Sequence, residues 1–537
     1  MNGSLRVVVV GAGMVGTRFA EELHARAAET VDVTMLGSEP YEPYNRVLLS
    51  DVVAGRTDLA SLTLPSAPAA RVRRGVTAVR VDRPARTVLC DDGSEHPYDA
   101  LVLATGARAR VPDVPGLVGA PGVPPGLPRG VHALRTLDDA REILAAAANG
   151  PEVVVVGGGV LGVEVAAGLA RHRLDVTVLH GGPNAMDRQL DAAAGEALAT
   201  GLERLGVVVR PGVRVVRVVH DARGVAAVVL EDGERVPCRL LVLAAGTEPE
   251  TGLATAAGLA VRRGVLVDRS CATSDPAVFA VGDCAEPPEG GTGLVAQGWA
   301  QARRLAAAIA AWPAGHVPGV STSEGVPDAA DDGTGDDGIA SDGSGSFDVV
   351  RVKADGIAVS AMGISAAAAP PTVRCVRLSD PSQGRHVEVV VRDGVVVGAT
   401  CVGDAAVAAD LVATYTRRTP VPRDPAQLLL RPVRGSEPVE ASSPTLMPDR
   451  ATVCRCNGVT KGDVVAGWRA GARTVEEVVR ATRATTGCGG CTDAVCGLVE
   501  WLERVDPDPV VGTPARVADA QTPAVVGAER DLTAVRS

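Results

Sequence analysis

Residues 7–23 read VVVVGAGMVGTRFAEEL, and this stretch decides the fold of the first part of the chain. The four valines predict a buried strand, and the residues after the glycines predict an amphipathic helix. Gly11 permits a tight turn, Gly13 lets the backbone approach a pyrophosphate, and Gly16 allows close packing of the helix. The loop therefore predicts a dinucleotide-binding turn, although an ordinary strand-to-helix turn is the alternative for one such loop alone. Its predicted contact residues are Gly11, Ala12, Gly13, Met14, Val15 and Gly16.

A second stretch repeats the same pattern. Residues 153–169 read VVVVGGGVLGVEVAAGL, with Gly157, Gly159 and Gly162 in the same register. Two loops of this kind in one chain make the ordinary-turn alternative much weaker and predict two bound dinucleotides. The commonest enzymes with two dinucleotides hold a flavin and a nicotinamide that meet face to face.

Hydrophobic patterning extends this interpretation over more than half of the chain. Val-rich strand patterns alternate with helical Ala, Leu and Arg stretches from residue 5 to about residue 312. This alternation is typical of βαβ units around parallel sheets. We therefore expect an α/β protein with two Rossmann-like dinucleotide-binding domains, a small α+β domain and a small helical domain.

Composition excludes several classes of protein. The 537 residues suffice for two to four domains, and the net charge of −11 argues against binding nucleic acid through a basic surface. Eight acidic residues, but no Lys or Arg, lie between residues 321 and 350. Eleven cysteines are too few for a secreted disulfide scaffold. With no leader or long apolar window in the sequence, we expect a cytoplasmic protein that binds neither nucleic acid nor membrane.

Beyond the α/β part, the sequence predicts five segments. Residues 313–346 are rich in Gly, Ser and Asp and predict a disordered acidic linker. Residues 347–430 predict the small α+β domain, in which Asp393 and Gly394 form a hairpin signal. Prolines indicate a second linker, a cysteine-bearing unit follows it, and a flexible tail ends the chain. These last three segments span residues 431–450, 451–505 and 506–537.

Three further motifs lead to a family. They are LVLATGARARVPDVPG with Thr105 and Gly106, AAGTEPET with Gly246, and FAVGDCAE with Asp283. In this order, with the two glycine loops, they resemble the two-dinucleotide-domain pyridine nucleotide flavoprotein oxidoreductases. The resemblance implies FAD at the first loop, NAD(P)H at the second, and Asp283 on the ribityl chain; a turn or helix cap is the alternative for Asp283. It also implies an FAD-binding domain at 1–115 and 250–312 around an NAD(P)-binding domain at 116–249.

Four more residues are candidates for contacts with these cofactors. The segment EPYNRVLLS resembles ferredoxin and rubredoxin reductases, which implies that Glu39 and Arg46 flank FAD. Their alternative is a surface glutamate and a helix-capping arginine. Glu164 matches a position near the nicotinamide, or is an early helix carboxylate. His180 stands where a carboxylate would select NADH, so the sequence leaves the choice between NADH and NADPH open.

The cysteines indicate how electrons leave the flavin. Disulfide reductases of this superfamily carry a redox-active cysteine pair, or one cysteine, near the flavin, and this chain lacks both. Six cysteines are isolated in sequence, and we expect them to be buried small hydrophobic residues. They are Cys90, Cys238, Cys271, Cys284, Cys375 and Cys401.

Four other cysteines predict a metal centre. Cys454 and Cys456 form a CxC, and Cys488 and Cys491 form a CxxC, all in glycine-containing segments. Four thiolates suit tetrahedral zinc or an iron–sulfur cluster. The unit resembles the 2Fe-2S domain of bacterioferritin-associated ferredoxin, which implies a 2Fe-2S cluster. Cys496 is expected to lie on a helix face and not to be a ligand.

Taken together, the motifs resemble two related groups of proteins. These are the N-terminal half of NAD(P)H nitrite reductase large subunits and the electron-transfer subunit of assimilatory nitrate reductases. The resemblance implies that the chain passes electrons from NAD(P)H through FAD and the cluster. Only a tail follows the cluster unit, so we expect a separate catalytic partner, a molybdenum nitrate reductase or a sirohaem nitrite reductase. The alternatives are a reductase of small carriers such as rubredoxin or ferredoxin, and a redox-sensing regulator.

Overall fold

The structure is a computed structural model, and it describes most of the chain. The described residues are 4–57, 62–64, 70–117, 126–312, 349–354, 356–430, 447–454, 459–485 and 491–506. The acidic linker predicted at 313–346 lies outside them. Most of the linker predicted at 431–450 and nearly all of the tail predicted at 506–537 also lie outside them.

A five-stranded parallel sheet carries the first glycine loop. Its strands are β1 (Leu5–Val10), β2 (Val31–Gly37), β3 (Arg71–Arg74), β7 (Ala100–Leu103) and β19 (Val278–Ala280). Their order is β19-β7-β1-β2-β3. Helices α1 (Met14–Ala27) and α7 (Val295–Ala310) pack on one face. The strands β4 (Ala78–Asp82), β5 (Thr87–Cys90) and β6 (Glu95–Pro97) form a small antiparallel sheet on the side of the other face. With both faces covered, Val7–Val10 are at most 7% exposed, as the run of valines predicts.

A second five-stranded parallel sheet carries the second loop. Its strands are β9 (Val131–Ala133), β10 (Glu152–Val156), β11 (Asp175–Leu179), β12 (Val207–Arg210) and β16 (Leu240–Leu243), in the order β12-β11-β10-β16-β9. Helices α3 (Leu137–Ala147), α4 (Val160–Arg171) and α5 (Ala192–Arg204) pack on one face. The other face is covered by β13 (Val215–Asp221), β14 (Gly224–Leu230) and β15 (Arg235–Pro237). The predicted α/β class with two Rossmann-like sheets is confirmed.

Two short strands connect these sheets. β8 (Ala107–Ala109) pairs with β17 (Thr247–Pro249), where the chain enters and leaves the part that contains the second sheet. The predicted divisions near residues 115 and 249 fall close to this crossing and stay a prediction. Other short elements of this part are α2 (Leu49–Val53), α6 (Gly252–Ala256), β18 (Val265–Leu266) and β20 (Ala285–Glu286).

The next part is an antiparallel sheet packed on a helix. Its strands are β21 (Val350–Ala354), β22 (Ile357–Gly363), β23 (Arg374–Asp380), β24 (Arg385–Arg392) and β25 (Val395–Val402). Their order is β21-β22-β25-β24-β23, and α8 (Ala405–Arg417) packs against them. Asp393 and Gly394 have φ of 50° and 72° between β24 and β25, so the predicted hairpin is confirmed.

The cysteine-bearing unit is small and helical. It consists of β26 (Thr452–Cys454), β27 (Val459–Thr460), α9 (Lys461–Arg469), α10 (Val475–Thr482) and α11 (Thr492–Val505). Thr460 and Thr474 form capping boxes that begin α9 and α10. Lys461 is only 5% exposed, and its Nζ donates to the Met447 carbonyl at 2.8 Å and lies 5.2 Å from the centre of the Trp501 ring. Among the helices that the structure describes, none has the length and hydropathy needed to span a bilayer.

Candidate functional site

The first glycine loop has the geometry of a cofactor cradle. Gly11 has φ of +116°, and a Cβ there would lie 2.1 Å from the Ala104 carbonyl oxygen. A Cβ on Gly16 would lie 2.1 Å from the Gly11 oxygen, so α1 approaches the loop as closely as backbones allow. Gly13 begins the helix, and the nearest atom to its Cβ position is Arg46 Nε at 3.9 Å. The loop therefore leaves a free helix N-terminus that can receive a pyrophosphate.

One large cavity joins most of the predicted site residues. It has a volume of about 1890 Å³ and extends from the first glycine loop to the second sheet and to the cysteine-bearing unit. The predicted residues that line it are Gly11, Ala12, Gly13, Met14, Val15, Glu39, Arg46, Thr105, Gly106, Glu164, Asp283, Cys454 and Cys491. The predicted residues Gly16, Gly157, Gly159, Gly162 and Gly246 do not line it.

Glu39 and Arg46 meet at one end of this cavity, around a tyrosine that sequence reasoning missed. The two side chains form an ion pair, and the Tyr44 hydroxyl donates to Glu39 Oε2 at 2.6 Å. The same hydroxyl accepts the Leu137 N–H at 2.9 Å, and the Arg46 guanidinium lies 4.8 Å from the centre of the Tyr44 ring. Burial raises the pKa of Tyr44, so the phenol stays protonated and remains a donor.

A Tyr44→Phe substitution tests this contact. We expect the free energy of unfolding to fall by about 1–3 kcal/mol, because Glu39 and the Leu137 N–H would each lose a partner in a part-buried site. Urea unfolding of the apoprotein measures it. Tyr41→Phe is the control, since the Tyr41 hydroxyl bonds Asp138 at the surface and should change stability by less than about 0.5 kcal/mol. Equal losses in both variants would contradict the role given to Tyr44.

Asp283 also has a partner that lies far from it in sequence. Its Oδ2 accepts from Arg135 Nη2 at 2.9 Å, and Arg135 Nε donates to the Ala107 carbonyl at 2.7 Å. Both side chains are about a quarter exposed and border the cavity. Arg135 places a fixed positive charge beside the predicted ribityl contact. The fragment ALRTLDDA contains the capping box of α3 but no sequence signal for this pairing.

Thr105, Gly106 and Gly246 lie at the crossing between the two sheets. Thr105 Oγ1 donates to the Glu250 carbonyl at 2.7 Å, and the Glu250 N–H returns to the Gly106 carbonyl at 2.9 Å. The Gly246 carbonyl accepts the Arg110 N–H at 3.0 Å. Gly106 and Gly246 both have positive φ, of 73° and 98°. These residues therefore hold the β8 and β17 crossing in place, and Thr105 and Gly106 also form part of the cavity wall.

The second glycine loop repeats the geometry of the first. A Cβ on Gly157 would lie 2.3 Å from the Ala244 oxygen, and one on Gly162 would lie 1.9 Å from the Gly157 oxygen. Within the part of the chain that the structure describes, no atom outside its immediate chain neighbours lies within 4 Å of the Cβ position of Gly159. The loop therefore leaves an open helix N-terminus for a second pyrophosphate.

His180 is fixed behind this loop. Its Nδ1 accepts the Gly158 N–H at 3.2 Å, so in the neutral ring the proton must be on Nε2. Nε2 lies 3.3 Å from Asp187 Oδ1, a residue that sequence reasoning did not select. A carboxylate therefore lies beside His180, although the sequence has none directly at the end of β11.

Glu164 lies in a buried charged cluster at the boundary of three parts of the structure. It is 4% exposed, and it accepts the Ser50 hydroxyl at 2.6 Å and the Lys353 N–H at 2.9 Å. Lys353 Nζ lies 3.5 Å from Glu164 and 3.7 Å from Asp51. Burial raises the pKa of Glu164, and the Lys353 ammonium partly offsets this rise. Lys353 comes from β21 and borders the cavity, so the antiparallel sheet contributes a cation to this wall.

Two of the four predicted metal ligands lie among the described residues. Cys454 and Cys491 are 1% and 9% exposed and line the same cavity as the first glycine loop. The Thr485 N–H donates to Cys491 Sγ at 3.2 Å, the kind of contact that stabilises thiolate ligands. Cys456 and Cys488 lie outside the described residues.

The lone cysteines follow the prediction with one exception. Cys90, Cys238, Cys271, Cys284 and Cys401 are buried. Burial raises the pKa of Cys238 to about 12 and that of Cys271 to about 11, so both remain thiols. Cys375 is exposed, so its predicted burial is wrong. It lies on β23, at the edge of its sheet, and sequence alone does not distinguish an edge strand from an internal one.

Two glycine cradles lie on two parallel sheets, and the cavity at the first of them also reaches two buried thiols. This arrangement defines a protein with two dinucleotide-binding folds. The chain belongs to the pyridine nucleotide-disulphide oxidoreductase family, whose model matches residues 5–315. A second model, the BFD-like [2Fe-2S] binding domain, matches residues 452–501. The chain is therefore an oxidoreductase, with FAD, NAD(P)H and a [2Fe-2S] cluster as its cofactors, and the choice of iron–sulfur over zinc is confirmed.

Similar proteins support both assignments. The chain is 31% identical over 98% of its length to "Nitrite reductase [NAD(P)H]" of Bacillus subtilis, of which it covers 60%. It is 29% identical over 95% of its length to the "Assimilatory nitrate reductase electron transfer subunit" of the same organism, of which it covers 61%. The chain thus spans about three fifths of the length of these two relatives. A solved covalent putidaredoxin reductase–putidaredoxin complex matches 80% of this chain and 96% of the solved chain, with 26% identity and a TM-score of 0.63.

Proposed function

We propose that this chain takes electrons from NAD(P)H and passes them through FAD and a [2Fe-2S] cluster to a separate catalytic subunit, a nitrate or nitrite reductase. The observation that carries the proposal is the shared cavity, which borders both the first glycine loop and the buried thiols of Cys454 and Cys491. Relatives that match nearly the whole chain include a nitrite reductase and a nitrate reductase electron-transfer subunit. A cytoplasmic location belongs to the same proposal.

The site residues have the following proposed roles. The first loop, Glu39, Arg46, Thr105, Gly106 and Asp283 bind FAD, and Gly157, Gly159, Gly162, Glu164 and Gly246 form the nicotinamide side. Cys454, Cys456, Cys488 and Cys491 hold the cluster. Bound FAD would supply the acceptor for a hydride from NAD(P)H, leaving NAD(P)⁺, and a bound cluster would supply one-electron transfer for the two electrons. The residues of the chain bind and orient these groups, and no side chain is assigned as an acid or base.

Several features of the two cradles fit this assignment. Both open helix N-termini provide N–H donors and a favourable dipole for pyrophosphates. Arg46 and Arg135 place guanidinium donors on the FAD side, each paired with a carboxylate that also lines the cavity. On the nicotinamide side, Asp187 beside His180 would repel a 2′-phosphate, which favours NADH over NADPH.

A reductase of small carrier proteins is the second candidate. Its support is the match to the putidaredoxin reductase complex and to a biphenyl dioxygenase ferredoxin–NAD(+) reductase component of Paraburkholderia xenovorans. The latter is 37% identical over 52% of this chain, which covers 68% of that relative.

A Cys488→Ser variant tests the proposed route. With NADH as donor, we expect ferricyanide reduction to stay within about twofold of the unmodified protein, because ferricyanide can take electrons directly from the flavin. Electron delivery to a purified nitrate or nitrite reductase should fall by about a hundredfold or more, because one cluster ligand is lost. Visible absorption and EPR should report the flavin retained and the cluster lost.

Cys375→Ser is the matched control, since Cys375 is exposed and distant in sequence from the four ligands. It should keep both activities. Delivery to rubredoxin or ferredoxin, but to neither reductase, would favour the second candidate. No turnover with any acceptor would contradict electron transfer and favour a redox-sensing regulator.

A further inference from the structure

A charged contact joins the cysteine-bearing unit to the first helix of the FAD side. The Arg483 guanidinium forms an ion pair with Glu21 of α1, and the two side chains are only 21% and 15% exposed. Arg483 ends α10 with φ of +65°, so it lies on a turn and not on a helix face. A buried ion pair between two separate parts of a chain restricts how those parts can be placed.

The charges around this pair define its position further. On α1, Arg18 pairs with Glu22 at 2.6 Å, and both side chains are at most 14% exposed. Arg26 pairs with Glu22 from the next turn. Among the described residues, both ion pairs within α1 involve Glu22, and neither involves Glu21. Arg483 therefore pairs with the acidic residue of α1 that has no ion pair within its own helix.

Desolvation decides what this pair contributes. Burial raises the pKa of Glu21 to about 7 and lowers the pKa of Arg483, although each group faces an opposite charge. The loss of hydration thus offsets the attraction, as is usual for buried ion pairs. The pair consequently contributes little net affinity, but removal of one partner leaves the other buried with only a weaker opposite charge nearby, Arg18 for Glu21 and Glu22 for Arg483. Such a contact selects one orientation over others.

The same turn leads directly to the metal ligands. Two residues after Arg483, the Thr485 N–H donates to Cys491 Sγ at 3.2 Å. On the other side of the contact, α1 begins at Met14, which lines the cavity together with Cys454 and Cys491. The turn after α10 therefore contains both Arg483 and the N–H that donates to Cys491 Sγ. Helix α1 contains both Glu21 and the first residue of the helix that borders the proposed FAD site.

We infer that Arg483 and Glu21 are positioning residues that orient the [2Fe-2S] unit with its cysteines towards the flavin cavity. This inference rests on the proposed function, because the orientation matters for electrons that pass from FAD to the cluster. Neither residue is assigned to cofactor binding. Electron transfer between two centres slows steeply as they separate, so a misplaced unit would still hold its cluster but receive electrons slowly.

The test uses the full-length holoprotein and three variants. Arg483→Glu places two acids together, the double variant Glu21→Arg with Arg483→Glu restores the pair in reverse, and Arg480→Glu is the control. Arg480 lies on α10, one turn before Arg483, and is exposed, so it takes the same charge change outside the contact. Small-angle X-ray scattering measures the placement of the unit. Anaerobic rapid mixing with NADH measures flavin bleaching by absorbance and cluster reduction by freeze-quench EPR.

In Arg483→Glu, we expect flavin bleaching to stay within about twofold, cluster reduction to slow by about tenfold or more, and the radius of gyration to rise. The double variant should recover at least half of the lost rate, and Arg480→Glu should behave like the unmodified protein. If Arg483→Glu does not accumulate as folded holoprotein, Arg483→Gln provides the same comparison with a smaller charge change.

Two outcomes would overturn the inference. One is unchanged scattering and cluster reduction in Arg483→Glu, and the other is an equal defect in the double variant. Failure of the proposed function looks different. In that case the cluster of the unmodified protein would not be reduced by NADH, while scattering would still report whether Arg483 positions the unit.

Discussion

Gly11→Ala is expected to abolish FAD binding. A methyl group at this position would lie 2.1 Å from the Ala104 carbonyl oxygen and 2.6 Å from its carbon, both backbone atoms of the neighbouring strand connection. The residue also has φ of +116°, which side chains rarely adopt. The loop must therefore move away from β7, and the donors at the start of α1 move with it. We expect the flavin absorbance per protein to fall by at least about tenfold, from the combined loss of cradle geometry and helix-terminus donors.

Gly93→Ala is the control that distinguishes the clash with Ala104 from the backbone strain of a positive φ. Gly93 also has positive φ, of +79°, but among the described residues no atom beyond its chain neighbours lies within 4 Å of its Cβ position. It should retain FAD and lose about 1–2 kcal/mol of stability at most. The prediction fails if Gly11→Ala binds FAD as the control does. Circular dichroism of both apoproteins shows whether each is folded.

Lys353→Met should lower the free energy of unfolding and make that loss depend on pH. The substitution leaves Glu164, which is 4% exposed, and Asp51, which is 7% exposed, without the ammonium group that lies 3.5 and 3.7 Å from them. Removing one member of a buried charged group typically costs about 3–5 kcal/mol, and we expect a loss near the lower end because the lysine side chain is 20% exposed.

The sign of the pH effect follows from Glu164. Burial already raises its pKa above the ordinary value, and loss of the cation raises this pKa further. The folded variant therefore binds a proton on Glu164 more readily than the unfolded chain does, so its stability relative to the unmodified protein improves as pH falls. The stability deficit should be largest at pH 8 and smaller at pH 5.

Urea unfolding of the apoprotein at both pH values measures this deficit. Adding Glu164→Gln to Lys353→Met should recover part of the stability at pH 8 and remove most of the pH dependence. A deficit that is the same at pH 5 and pH 8, or that grows on acidification, would show that the buried carboxylates do not depend on Lys353.

The fold and the two cradles could be predicted from sequence because their requirements are local. Gly11 and Gly16 lie five positions apart in one strand–turn–helix unit, where Gly11 adopts the positive φ of the turn and Gly16 packs on the Gly11 carbonyl. The valines of β1 and three of the four valines of β10 are buried between covered faces, which a continuous apolar run indicates directly. The capping boxes at Thr460 and Thr474 are also local.

The rest of the site could not be predicted because its contacts connect distant segments. Asp283 and Arg135 are 148 residues apart, and Glu164 and Lys353 are 189 residues apart. Arg135 and Lys353 could not be selected from the sequence as these partners, because an arginine or lysine near the end of a strand is common on protein surfaces. The exposure of Cys375 belongs to the same class, because it depends on which strand forms the edge of the sheet.

The low exposure of both lysines has a practical consequence for following this molecule in solution. Almost all of its basic residues are arginine, and Lys353 and Lys461 are its only lysines. Each Nζ lies against a backbone carbonyl and a carboxylate, one at the wall of the cavity and the other beneath α11. A lysine-specific protease or an acylating reagent therefore meets few accessible targets in the native protein. Cleavage or labelling at Lys353 would report opening of the antiparallel sheet, and reaction at Lys461 would report opening of the cluster unit, as two separate signals in one mass spectrum.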